Sequence, residues 1–314
     1  MKHTTIVIAA GLAFAPALSS TPAQAQNGRS FVSSHGLDTN SCTLAAPCRT
    51  FAAAFTQTNA GGEIDVLDTA GYGPVTINKA INIINDGAVA SVLVPSGGIG
   101  ITINAGPNDA VSLRGLTIEG AGVGSVGIQF NTGKSLTIQN SVAQNFTSVG
   151  INFFPNQSTP SRLTVKNTFV ANNGTTGIEV FPFIGAGAVT AVFNQVETDN
   201  NGSGISLDTG TGGAVTAIAS DCVSTGNSTD GFIANSLGSV SVSLMLVGSV
   251  AANNGTGIEA FGIGAIIRVG LTTVTGNGNG WVNTVGVVQS YGDNKINGNT
   301  AHETSPPAVT GGGK

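Results

Sequence analysis

Glu179 and Glu259 occupy the same place in two copies of one short pattern, "GIEV" and "GIEA". Two carboxylates facing one another across a sugar are the groups that cleave glycosidic bonds. If each copy is one coil of a stacked chain, the pair lies three coils apart, roughly 14 Å at about 4.8 Å per coil. That exceeds the roughly 5–9.5 Å between glycosidase carboxylates, so the two do not work as acid and base together. Lys166 is a candidate base for elimination, to be set against ordinary surface charge, and Glu179 is the carboxylate candidate that would accompany it. Glu197, Asp199 and Asp221 form an acidic set whose oxygens could hold Ca²⁺, the one cofactor admitted here; solvated turn carboxylates are the plainer account. Gln129, Asn152, Glu179 and Ser206, with Thr102, form an outward row of amides, hydroxyls and a carboxylate that could hydrogen-bond an extended sugar chain. Aromatic platforms are scarce: Trp281 stands alone, Tyr72 and Tyr291 are far apart, and Phe181, Phe183 and Phe193 are the phenylalanines that do not fit inward positions.

The elements that must position these residues follow from a repeat. Aligned on the glycine before a short apolar run, the starts are Gly100, Gly127, Gly150, Gly177, Gly204, Gly231, Gly257 and Gly280. Intervals of 23 to 27 residues mark a solenoid, propeller or array. After each glycine, apolar and polar residues alternate, as in Ile178, Glu179 and Val180, which is a strand with one buried face. A second strand follows ("RLTVKNT", "AVTAVFN", "AVTAIAS"), then a short third one before an Asn/Gly cluster ("FVANNGTTG", "VAANNGTG"). Three short strands per repeat, closed by residues that tolerate left-handed corners, describe one coil of a right-handed parallel β-helix. Asn145, Asn172, Asn173, Asn200, Asn227, Asn254 and Asn277 recur at one corner, as turn formers or as hydrogen-bonded ladders between coils.

Composition agrees. Charged residues are 9% of the 314, against roughly 25% in average soluble proteins, and there are 46 glycines. A net charge of −5 leaves no basic footprint for nucleic acid. Residues 1–25 have the Lys2, apolar core and Ala23–Ala25 pattern of a secretory signal peptide, so export to the periplasm or the exterior is expected. No later segment is long and apolar enough to span a membrane, and the processed protein is not expected to be an integral membrane protein. Cys42 and Cys48 are expected to close a short disulfide loop in an oxidising compartment, and Cys222 to be a small buried residue.

The stretch "FVSSHGLDTNSCTLAAPCRTFAAAF…GGEIDVLDTAGYGPVTI" resembles the opening segment of bacterial pectin-lyase-like, right-handed β-helix repeat proteins. The resemblance covers roughly residues 30 to 300 and implies a capped all-β solenoid. It implies less about activity, because this architecture carries lyases, hydrolases, epimerases, adhesins and tailspikes. The Asp-Asp pair, Gly-His-Gly and Arg-Ile-Lys triplets of pectin hydrolases do not occur, and the histidines, His3, His35 and His302, lie outside the repeat body. The expected organisation is a signal peptide (1–25), an N-terminal cap with a short helix near 49–58 (26–74), the β-helix (75–300) and a disordered tail (301–314). The expected function is a non-catalytic scaffold that binds polysaccharide or another surface. The alternatives are a polysaccharide lyase or glycoside hydrolase with a non-standard site around Glu179, Lys166, Glu197 and Asp199, and an adhesin-like, self-assembling module.

Overall fold

The computed structural model describes Met1 and residues 27–309; residues 2–26, where the signal peptide is expected, and residues 310–314 lie outside the described part. The chain winds into a parallel β-solenoid with three faces. The first is a sheet of nine parallel strands: Val75–Ile77, Ile99–Asn104, Val126–Thr132, Val149–Phe153, Thr176–Val180, Ser203–Thr209, Asp230–Ser236, Thr256–Phe261 and Asn279–Thr284. The second and third faces belong to one 19-stranded sheet. They are joined because Ser161–Ala171 and Val189–Asp199 each run through the corner without a break. Left-handed residues turn that corner coil after coil: Asn140 (φ 50°), Asn167 (φ 44°), Gln195 (φ 53°) and Asp221 (φ 54°).

The register is the one the repeat dictates. Ile151 faces Ile178, Ile178 faces Ile205, and Ile205 faces Phe232, so like residues stack along the axis. Inward side chains form one continuous core, in which Phe130 and Phe153 stack at 4.2 Å between ring centroids. Phe193, expected to stand out from the core, is fully buried within it: in Val189–Asp199 it is an inward residue between outward Val192 and Asn194.

The asparagines divide into two roles. Asn145, Asn172 and Asn200 take left-handed φ values of 63°, 56° and 52° and turn the corner between the third and first faces. Asn173, Asn201, Asn227, Asn254, Asn277 and Asn299 point into the core and are buried. Each Nδ2 donates to the next Oδ1, at 2.8, 3.1, 2.9, 3.0 and 2.8 Å along the series. Each Oδ1 also accepts the backbone N–H of the preceding rung. Phe146 takes the rung before Asn173, donating its N–H to the Asn173 Oδ1. The glycine column beside this ladder has a steric cause. A Cβ on Gly231 would lie 2.6 Å from the Gly257 carbonyl oxygen and 2.8 Å from Asn254 Nδ2.

The N-terminal edge is closed by a strand, Asn27–Val32, and a helix, Phe51–Gln57, within the span expected from the sequence. Thr50 caps the helix by accepting the Ala53 N–H, and Asp38 holds that cap through the Arg49 and Thr50 amides. Cys42 and Cys48 are disulfide-bonded. Asp68 accepts from Ser33, Ser34 and Tyr72; burial opposes its charge, but these bonds prevail and hold the carboxyl below its ordinary range. Asp65, on the strand leaving the cap, accepts from Arg29. At the other end, residues 301–309 differ from the expected unstructured tail. Ala301 and Ala308 bridge to the last coil, and Pro306 is buried, because the final strands need partners for their open edge. Cys222 is buried and unpaired, its thiol pushed up to about 11 by desolvation. Among the described residues no helix is long and apolar enough to cross a membrane.

The ladder predicts a large effect from a small change. Asn227→Ala strands the Asn201 N–H and removes one of the two acceptors of Asn201 Nδ2, which keeps only Val170 O, and is expected to cost about 3 kcal/mol, or roughly 6–10 °C in Tm. Asn200→Gly, at a left-handed corner, is expected to stay within about 1 kcal/mol of the parent. Parallel thermal melts followed by circular dichroism decide this; equal melting of the two variants would deny the ladder its structural weight.

Candidate functional site

The outer surface of the first face carries two columns of outward side chains. One contains Thr102, Gln129, Asn152, Glu179, Ser206, Ile233 and Glu259, in the register read from the sequence. The other lies two residues further along each strand: Asn104, Asn131, Phe154, Phe181, Asp208, Asn235 and Phe261. In the early coils the columns are joined by an amide relay. Asn152 Nδ2 donates to Gln129 (2.9 Å), Gln129 Nε2 to Asn131 (2.9 Å) and Asn131 Nδ2 to Asn104 (2.8 Å). The relay ends on Asn152 Oδ1, which is buried without a donor and stands in register beside Glu179.

From Glu179 onward the face changes character. Burial raises the Glu179 pKa, and the nearby Asp208 charge raises it further. Asp208 is also shifted upward by burial, against the opposing hydrogen bonds from Ser206 and Asn235. Asn235 Nδ2 donates to Asp208 at 2.7 Å, which leaves its own Oδ1 buried and unpartnered. One coil on, Asp230 shares a hydrogen bond with Glu259; burial first, then that neighbour, push its pKa to about 7. Glu179 and Glu259 are too distant to cooperate directly, as their register implied, but Asp208 and Asp230 fill the interval. Sequence reasoning missed both. Asp208 was visible as the outward residue two beyond Ser206; Asp230, just before Gly231, has the form of a turn aspartate.

Beside this column, Phe154, Phe181, Pro182, Phe183, Ile184, Gly210, Thr211 and Leu237 line an open apolar cleft of about 320 Å³. Phe154 meets the rings of Phe181 and Phe183 at 5.4 Å each. Gly210 keeps the wall low, since a Cβ there would touch the Phe181 ring at 3.4 Å. Phe181 and Phe183 were expected as an apolar lip; Phe154 was hidden in the "NFF" run, where one ring faces in and the next faces out.

The other candidates do not converge. Lys166 projects from the second face between Gln139 and Asn194, away from Glu179 on the first. Glu197 and Asp199 lie outward on the third face, opposite Val223 and Thr225. Asp221 is not their neighbour in register but a left-handed corner residue two positions before Val223. The proposed Ca²⁺ set is thereby corrected: the corner diverts Asp221 from the other two, and among the described residues no three His, Cys, Asp or Glu side chains gather closely enough to hold a metal.

In three dimensions the chain is similar to pectate lyase Pel9A, with a TM-score of 0.56 and 16% identity, over 87% of this chain and 73% of that one. The Dettilon tailspike protein gp208 overlays at a TM-score of 0.38 and 12% identity, over 80% and 63% of the two chains, too loosely to carry an argument. No family profile matches the sequence, and no curated protein is similar to it in sequence. At this identity the likeness is one of fold: the chain has the pectin-lyase-like parallel β-helix architecture.

Asp230 carries a pH-dependent prediction. Unfolded, it loses its proton near 3.8; folded, it keeps it up to about 7. Between those values the native state binds the extra proton, so this residue's contribution to stability falls as pH rises and is lowest above pH 7. Asp230→Asn is expected to raise Tm by about 3–6 °C near pH 8, and to change it by under about 1 °C near pH 3.5. Calorimetry at the two pH values checks this; an equal shift at both would show that the residue is not held protonated.

Proposed function

We propose that this chain is an exported β-helix scaffold that binds a polysaccharide along the outer surface of its first face without cleaving it. The observation that carries the reading is the unbroken outward row from Asn104 through Asn131, Gln129 and Asn152 to the Phe154–Phe181–Phe183 cleft. Amide groups recur at about 4.8 Å along the axis, so one extended chain meets equivalent donors and acceptors in successive coils. The aromatic rings then offer flat apolar surface to the C–H faces of a sugar. Export is supported by the leader-like pattern of residues 1–25 and by the Cys42–Cys48 disulfide.

A second reading rests on one specific juxtaposition: the Asp230 carboxyl, buried and beside Glu259, has its pKa raised first by that burial and then by its neighbour. A carboxyl that stays protonated to about pH 7 has the property required of a general acid in glycoside hydrolysis. In that case the same face would cleave what it holds.

The deciding experiment incubates the chain from Gln26 onward with neutral and acidic polysaccharides, with and without Ca²⁺, following retained polymer and newly formed reducing or unsaturated ends. Retention without new ends is expected, with the Gln129→Ala/Asn152→Ala pair weakening it about tenfold. New reducing ends abolished by Asp230→Asn would replace the scaffold reading with hydrolysis. Absence of both binding and product would leave a self-assembling or adhesin-like module.

A further inference from the structure

Along the first face the outward positions, from Thr76 and Asn78 in the first strand to Val282 and Thr284 in the last, include Glu179, Asp208 and Glu259 but no Lys or Arg. The nearest side-chain donors to these carboxylates are committed. Ser206 Oγ and Asn235 Nδ2 both point at Asp208, and Asn152 Nδ2 points back along the relay to Gln129. What remains around Glu179 and Asp208 is a surplus of acceptors, including the unpartnered Asn152 Oδ1 in the coil before and Asn235 Oδ1 in the coil after. The surplus adjoins the aromatic cleft: Val180 pairs with Leu207, so the next residues, Phe181 and Asp208, stand side by side in one column.

Building on the polysaccharide-binding reading, we infer that the cleft of Phe154, Phe181 and Phe183 beside Asp208 takes an amine-bearing sugar, a hexosamine unit with its nitrogen free, rather than a uronate. The ring faces of the three phenylalanines carry negative potential and attract an ammonium as well as stacking on a sugar. Asp208 gives that ammonium a partly desolvated counter-charge, which counts for more than a surface ion pair. The ligand also brings N–H donors to a stretch where acceptors outnumber uncommitted donors: the Ser206 hydroxyl and the Asn235 amide already point at Asp208. A uronate reverses each of these terms: it adds a negative charge beside Glu179 and Asp208 and finds no cation in either column. Cleft size agrees, since about 320 Å³ lies at the small end of small-molecule pockets and suits single ring units of a longer chain.

The test compares three β-1,4-linked tetramers, of glucosamine, of N-acetylglucosamine and of glucose, with α-1,4-linked tetragalacturonate as the anionic probe, by isothermal titration at neutral pH. The glucosamine tetramer is expected to bind about tenfold tighter than the other two β-linked tetramers, equivalent to ~1.4 kcal/mol, with tetragalacturonate weakest. Asp208→Asn, nearly isosteric, should erase most of that preference, and raised salt should narrow it. Glu179→Gln provides an independent reading should Asp208→Asn fail to melt cooperatively. Equal binding of amine and acetylated tetramers, or preference for tetragalacturonate, overturns the amine inference while leaving the polysaccharide face intact. Failure of all four to bind, together with failure of the polymers tested above, overturns both.

Discussion

The structure depends on one constraint: every coil must repeat the backbone of the one before it closely enough to hydrogen-bond to it. The Asn173–Asn299 ladder enforces that repetition at one corner. An amide group spans the gap between coils, donating to the next rung and accepting from both the side chain and the main chain of the rung before. Because these groups are buried, a coil that drifted out of register would leave several polar atoms unpaired, at roughly 1–3 kcal/mol each. The glycine column follows from the same geometry, since nothing larger fits between the ladder and the next coil's carbonyls.

Regularity inside leaves the outer surface free to vary. Outward residues on the first face contribute little to the core, and here they pass from an amide relay to an aromatic and acidic stretch over neighbouring coils. The fold aligns these residues without selecting their chemistry, so the likeness to pectate lyase Pel9A is a likeness of fold and leaves the charge pattern of this face to be read from its own residues. Carboxylates dominate where a polyanion would need cations. Burial keeps Glu179, Asp208 and Asp230 shifted toward their protonated forms, a standing electrostatic cost that a cationic ligand would relieve.

Much of the fold was legible because its signals are local and repeated. Gly177 and Gly204 announce a coil, the alternation after them assigns the inward residues, and the short helix of the cap falls within the expected span 49–58. The asparagines were only half legible. Composition marks them as corner residues, but whether Asn200 or Asn201 turns inward depends on one residue of register that only the wound chain fixes. The candidate site was harder still. Gln129, Asn152, Glu179 and Ser206 were placed on one face by periodicity alone, whereas Asp221, grouped with Glu197 and Asp199 by counting one coil from Asn194, proved to be a left-handed corner residue, and Lys166 lies on the second face, away from Glu179.

The sequence by itself determined the solenoid, its period, the buried sets Ile128–Phe130 and Ile178–Val180, the cap and the disulfide. The solenoid and its buried sets are written in spacing: intervals of 23 to 27 residues, each holding three short strands, bring like residues onto like when the coils stack. Tertiary structure alone decided which outward residues become neighbours. It set Asp208 beside Phe181, brought Asp230 to Glu259 one coil on, joined Phe154 to Phe181 and Phe183, and folded residues 301–309 back over the open end. These pairings join residues some 20 to 30 positions apart through the stacking of coils, and the protonation of the carboxylates depends on burial, a property of the assembled surface.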